Sequence, residues 1–224
     1  IGGIQTYAHQ LAREFARRCE LQVVAPLSPH SAAFDARDTE RGFDLLRLRA
    51  FDDDLAFSGI AGLRKLLRAQ RFDAAFTTHW APSFAVQQAG RIARRELPVF
   101  SAAHGKELIH RPFARFGTAA QRVYDAVRSL ALRGTAGFFP VSERTAQVLD
   151  TARVARERIR VVHNGVEEPE PLVRRSPEPL FVAVGRLVEY KRIDLLLRLW
   201  ERVRPVTGGR LVIVGDGPER PRLE

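Results

Sequence analysis

Methionine is absent from the 224 residues, and cysteine occurs once, at Cys19. A lone cysteine excludes an intramolecular disulfide and any metal site built on several thiolates, and it suits a reducing compartment. Cys19 falls near the end of an apolar helix face, which predicts a core or near-core position. Lysine is scarce as well: Lys65, Lys106 and Lys191 are the only three, so arginine carries most of the positive charge. No apolar run approaches the roughly 20 residues that span a bilayer, and no leader-like stretch opens the chain. Ile1 is not a natural start, and Glu224 falls just after a helical pattern begins. The sequence therefore reads as an internal piece of a longer protein.

What is present fits a folded protein with a polar surface. Hydrophobic residues make up 45% of the chain and charged residues 28%, enough to bury one large core or two smaller ones. The formal net charge is +10. Residues 166–224 hold 11 basic and 10 acidic side chains, so residues 1–165 hold 25 and 16. An anionic surface or acceptor should meet that first part. A basic nucleic-acid binder is the non-enzymatic alternative. It ranks low, because aromatic residues are not interleaved with basic ones and no binding motif occurs.

Along the chain, short apolar runs alternate with helical periodicity. Ile4, Tyr7, Leu11 and Phe15 share one helix face. Strands are predicted at 21–25 (ended by Pro26), 45–50, 74–78, 98–103, 137–141, 159–163, 180–184 and 211–214. Residues 27–42 read as loop. Helices are predicted from the Asp52-Asp53-Asp54 cap to about Ala69, near 83–95, over 113–133, from Glu143 to Leu149, and over 191–204. The three acids read as a solvated cap rather than a metal site. Strands alternating with helices imply parallel sheets and an α/β fold. Val166 to Pro179 is rich in Glu, Pro and Arg and reads as a linker. The predicted organisation is a first Rossmann-like lobe over 1–165, a linker over 166–179, and the opening of a second lobe over 180–224.

The residues suited to chemistry sit at the carboxyl ends of strands, where open parallel sheets bind ligands. Phe181 to Val184 stops at Gly185, and Arg186 and Lys191 follow before a helix begins. Two cations at a strand–helix junction suit a phosphate, helped by backbone N–H groups and the positive helix end. Gly2 and Gly3 open a helix, where backbone can approach a phosphate closely. A frayed terminus is the plain alternative there. His104 ends a strand, with Gly105 beside it for a tight turn and Glu107 two residues on. A neutral imidazole there can hydrogen-bond a ligand hydroxyl or stabilise developing charge. His79 ends the neighbouring strand and reads as structural. Gly215 to Pro218 reads as a turn.

The stretch GRLVEYKRIDLLL, with SAAHGKEL, VHNGV and the opening glycine pair, resembles glycosyltransferase family 4, retaining enzymes of the GT-B fold. The resemblance is specific mainly at 1–15, 101–108, 162–166 and 181–197. It implies two Rossmann-like lobes, the second cut short here. It assigns Gly2, Gly3, Arg186 and Lys191 to the donor diphosphate and His104 to the transferred sugar. Gly105 and Glu107 would lie near acceptor or sugar. The family often has proline where this chain has His163. Its two glutamates, separated by seven residues, which bind donor sugar and ribose, would lie beyond Glu224, so the piece by itself is expected not to turn over substrate.

The resemblance implies sugar transfer with retention from a UDP-, GDP- or ADP-sugar to a glycan or lipid-linked acceptor. No cofactor, metal or nucleic acid is expected. Nucleotide-sugar epimerases and phosphorylases of the same architecture remain an alternative. The expected location is cytoplasmic. Peripheral contact with anionic lipid at the inner membrane face is a further expectation. It comes from the long helix, which sets Phe113, Phe116, Val123, Val127 and Leu130 on one face and Arg111, Arg115, Arg122 and Arg133 toward another.

Overall fold

The computed structural model describes residues 3–28, 31, 35, 42–49, 56–114, 117–166 and 177–224. Gly2, Asp52 to Asp54, Arg115, Phe116 and most of the expected linker lie outside them. The chain divides into two compact units, Ile1–Val166 and Glu167–Glu224.

The first unit begins with helix α1 (Gly3–Ala16), strands β1 (Gln22–Leu27) and β2 (Asp44–Arg49), and helix α2 (Gly59–Ala69). It continues through β3 (Ala75–Thr77), α3 (Trp80–Ala93), β4 (Val99–Ala103) and the short helix α4 (Lys106–Ile109). Helix α5 (Thr118–Gly134), strand β5 (Gly137–Pro140), helix α6 (Glu143–Thr151) and a 3-10 turn at Arg156–Arg158 complete it. β1 pairs in parallel with β2, and β3, β4 and β5 form a parallel sheet with β4 in the middle.

A central parallel strand is covered on both faces, which is why β4 reads as an almost unbroken run of small and apolar residues. Val99, Ser101, Ala102 and Ala103 are all buried. The Ser101 hydroxyl donates to the Ala102 carbonyl at 2.9 Å, so its burial leaves no donor stranded. Helix α3 packs against both α2 and α5, and it buries Ala81, Ser83, Ala85 and Ala89, small residues that allow close approach. Two apolar clusters result. One gathers Trp80, Phe84, Leu108, Leu132, Phe138 and Leu149; the other gathers Leu63, Leu67, Val86 and Val99.

Several expectations change in detail. β1 runs through Pro26 to Leu27; in a two-stranded ribbon each strand has an open edge, where a missing N–H costs no ladder bond. α3 starts three residues early, at Trp80, because extended His79 supplies the N-cap and Pro82 is tolerated in a first turn. Residues 159–163 form no strand. Ile159 makes an isolated parallel bridge to Phe138, and the N–H groups of Arg160 and Val162 donate to Phe138 and Pro140. Cys19 is exposed rather than packed in the core. It follows the end of α1, and its thiol donates to the Phe15 carbonyl at 3.3 Å. The long helix begins only at Thr118, and Val123 is 64% exposed, away from the Tyr124, Val127 and Leu130 face that meets the core. Periodicity had grouped Val123 with Val127. The buried stripe runs instead through Gln121, whose side-chain oxygen accepts from the Phe113 N–H at 3.2 Å.

The second unit holds β6 (Leu180–Val184), a 3-10 turn at Glu189–Lys191, and α7 (Ile193–Thr207). β7 (Arg210–Val214) and α8 (Arg220–Leu223) follow, with β6 and β7 paired in parallel. Helix α7 starts at Ile193, two residues later than expected, because Arg192 takes a left-handed conformation (φ 51°) that no helix continues through. Phe181 of β6 packs on Trp200 of α7, ring centroids 5.0 Å apart.

Candidate functional site

In the first unit the chain turns sharply after β4. Gly105 adopts φ +102°, and a Cβ there would stand 3.2 Å from the Thr145 hydroxyl, so a side chain would meet both strain and crowding. The turn is held from inside. Glu107 Oε1 accepts from the backbone N–H groups of His104 (2.7 Å) and Gly105 (3.2 Å). The Trp80 indole N–H donates to the Glu107 carbonyl at 3.2 Å, which ties α4 to the core. Leu108 is buried beneath. Ser142 caps α6, its hydroxyl accepting from the Thr145 N–H at 3.2 Å.

His104 therefore stands at the carboxyl end of the central strand, half-buried. Its Nε2 and the Glu107 Oε2 are both buried, and neither has a hydrogen-bond partner among the described residues. A buried polar atom left unpaired costs free energy unless a ligand or water completes it. Burial pushes the His104 pKa below its ordinary value; the Glu107 charge pulls it up and His79 pushes it further down. The net lowering favours the neutral imidazole, which can donate from one nitrogen and accept at the other.

Three elements crowd this ring. His79, at the N-cap of α3, makes a 3.0 Å contact from Nδ1 to the Thr78 hydroxyl. Glu107 comes from α4. Tyr7 comes from α1 and meets the imidazole edge to face, centroids 4.9 Å apart and planes at 84°. Helix α1 is pinned over the sheet by Phe15, whose ring lies 5.6 Å from that of Phe76 in β3. Gly3 is the first residue of α1, with open space where a Cβ would point; Gly2 lies outside the described residues. The sequence had placed Tyr7 on a packing face only. Its position one turn after the helix-opening glycine was the signal available.

In the second unit, β6 ends at Val184 and the next turn is pressed against the turn after β7. A Cβ on Gly215 would lie 1.9 Å from the Gly185 carbonyl, and one on Gly217 would lie 2.3 Å from that of Leu187. Leu187 N–H donates to the Asp216 carbonyl at 2.9 Å. Asp216 turns its carboxylate onto its neighbour's N–H, at 2.8 Å from Gly217. Arg186 is exposed on this paired turn, and its guanidinium has no ion pair among the described residues. Lys191 is exposed on the 3-10 turn, its ammonium 5.9 Å from the Tyr190 ring and likewise without a carboxylate. The neighbouring arginines differ. Arg192 and Arg198 both bind Asp194, at 3.1 and 2.9 Å, and the Arg192 hydrogen bond holds the Asp194 carboxyl below its usual range. That carboxylate sits in the first turn of α7, so the helix end already has its anion. Between β6 and α7, the cations without an ion pair among the described residues are Arg186 and Lys191.

These polar and charged groups stand at the carboxyl ends of parallel strands, where open α/β sheets bind their ligands. The sequence profile described as Glycosyltransferase Family 4 matches residues 1–168, and the chain belongs to that family. No curated protein matches. Among solved structures, a lipopolysaccharide outer core galactosyltransferase, WaaB, is 16% identical with a TM-score of 0.66, over 100% of this chain and 60% of that one. Anabaena HepE with UDP bound is 14% identical with a TM-score of 0.61, over 99% and 68%. UDP-N-acetylglucosamine 2-epimerase from Rickettsia bellii is 11% identical with a TM-score of 0.57, over 100% and 62%. These likenesses establish the fold, that of the GT-B glycosyltransferases. The chain spans 60% of the length of the galactosyltransferase.

Proposed function

We propose that this chain supplies the acceptor-side domain, and the opening of the donor domain, of a retaining, metal-independent glycosyltransferase. The observation that carries the reading is the pair of unpartnered buried atoms, His104 Nε2 and Glu107 Oε2, at the end of the central strand of a family 4 domain. Hydroxyl groups of a sugar complete both: one donates to the carboxylate oxygen, and another pairs with the imidazole. As the glycosidic bond breaks, its electron pair leaves with the nucleoside diphosphate. Arg186 and Lys191 then meet that growing charge, the arginine by two N–H groups and the lysine as a point charge. The acceptor oxygen bonds to the anomeric carbon on the face the diphosphate leaves, and its proton passes to the departing phosphate. Fixed cations serve that leaving group without a metal ion.

A UDP-, GDP- or ADP-sugar is the donor on this reading; HepE, which shares the fold, is known with both UDP and UDP-glucose bound. The acceptor is a glycan or a lipid-linked sugar that meets the basic first unit. Exposed Ile109, Phe113 and Val123, with Arg111 and Arg122, favour peripheral contact with anionic lipid at the inner membrane face. No helix among the described residues is long and apolar enough to cross a membrane. A free thiol at Cys19 suits the cytoplasm.

The test is calorimetric titration of UDP-, GDP- and ADP-sugars into the full-length protein and its Arg186→Ala variant. Loss of a charge-assisted contact should weaken donor binding by about ten- to a hundredfold. Unchanged affinity for every donor removes Arg186 from the site. The fold shared with the Rickettsia epimerase favours a second reading, epimerisation of a nucleotide sugar. Incubating donor with no acceptor separates the two: an epimerase changes the sugar's stereochemistry, whereas a transferase leaves the donor intact until an acceptor is added.

A further inference from the structure

We infer that Tyr7 is a positioning residue for His104, setting the plane of the imidazole through its ring. The inference rests on the reading of His104 as the sugar-facing group. A catalytic histidine usually has one nitrogen fixed by a hydrogen bond, which sets both tautomer and ring orientation. Here neither ring nitrogen of His104 has such a partner among the described residues, and Nε2 is buried without one. The hydrogen bonds of this turn hold the backbone of His104, through Glu107, and leave the ring to packing.

The packing contact is specific. The Tyr7 and His104 rings meet at 84° with centroids 4.9 Å apart, the edge-to-face arrangement that aromatic pairs prefer. Tyr7 itself is held in place. It lies one turn into α1, and that helix is anchored at Phe15 against Phe76 and at His9 against Phe43, 6.4 Å apart. Its hydroxyl makes no hydrogen bond among the described residues, and burial raises its pKa above the ordinary tyrosine value. The apolar ring, rather than the hydroxyl, is the part in use. Three groups face the imidazole and govern its titration: Tyr7 from α1, His79 at the start of α3, and Glu107 from α4.

The experiment follows the His104 imidazole by NMR through a pH titration, and measures sugar transfer by the full-length protein. It compares Tyr7→Phe and Tyr7→Ala with the unaltered sequence. Tyr7→Ala opens the ring to water. It should raise the His104 titration midpoint toward about 6.5 and lower kcat about two- to tenfold, the worth of one aromatic contact. Donor binding through Arg186 should stay unchanged. Tyr7→Phe should restore both the midpoint and kcat. An unshifted midpoint with unchanged kcat in Tyr7→Ala overturns the inference, as does a Tyr7→Phe protein as impaired as Tyr7→Ala. If Tyr7→Ala fails to fold, Tyr7→Leu takes its place, and normal kcat in that variant is equally fatal. His104→Ala tells the two failures apart. Full transfer by that variant defeats the reading of the site itself. Loss of transfer there, with Tyr7→Ala behaving normally, defeats only the role of Tyr7.

Discussion

In the first unit Leu149, Val99 and Phe138 are at 0%, 1% and 2% exposure, whereas Leu187, at 5%, is the only buried residue among those described in the second. Both units are parallel βα structures with charged or polar groups at the strand ends. They differ in what stands behind those groups. His104 is backed by β4, which helices and neighbouring strands cover, and by a turn with internal hydrogen bonds. Arg186 is backed by a two-stranded sheet whose apolar residues, such as Val182 and Val184, stay largely exposed. The two surrounds suit different tasks. A half-buried imidazole depends on precise placement and desolvation, so it needs a rigid surround. Two exposed cations bind an anion by charge, and paired turns suffice to present them.

Substitutions test that contrast. Leu149→Ala should destabilise the first unit by about 2–5 kcal/mol in urea unfolding, since it empties a fully buried site. Val184→Ala, at 78% exposure, should change stability by no more than about 0.5 kcal/mol. Equal effects would remove the distinction. Gly215→Ala should come next, because its Cβ would collide with the Gly185 carbonyl at 1.9 Å. Separation of the paired turns should cost the second unit about 1–3 kcal/mol and weaken donor binding through Arg186. The His104 titration should not change, and a shift there would show that the two sites are coupled. Gly105→Ala should cost the first unit about 1 kcal/mol, as the left-handed turn becomes strained beside Thr145.

The smallest effect is electrical. Glu107→Gln removes the charge that raises the His104 pKa, so the imidazole should titrate still lower, as seen by NMR. The linkage to stability has a definite sign. The folded-state pKa of His104 is depressed, so the unfolded chain takes up its proton first as pH falls. Stability from this residue is complete above about 6.5. It declines as pH falls from there to the lowered folded value, then levels off. Glu107→Gln should widen that window downward.

Much of this was legible in the sequence. The order of strands and helices followed from periodicity, because a buried parallel strand must be apolar along its length and an amphipathic helix must repeat near every third or fourth residue. The ends were less legible. Pro26 reads as a stop, yet an open strand edge tolerates it. Residues 159–163 have the composition of a strand, yet they meet β5 through one bridge and two further hydrogen bonds. Val123 fits the apolar face by spacing, but the buried stripe of α5 runs through Gln121.

Local sequence was enough for the parallel α/β class, the glycine turns, and the places of His104 and Arg186 just past strand ends and of Lys191 before α7, since each depends on neighbours within a few residues. Packing decided that Tyr7 faces His104, that Glu107 turns one oxygen to the backbone and leaves the other unpaired among the described residues, and that Asp194 pairs with Arg192 and Arg198 while Arg186 and Lys191 find no carboxylate there. Those facts depend on which helix crosses which strand, on turn geometry and on rotamers. They are set by packing between segments far apart in the chain, and by side-chain competition that residue types alone do not encode.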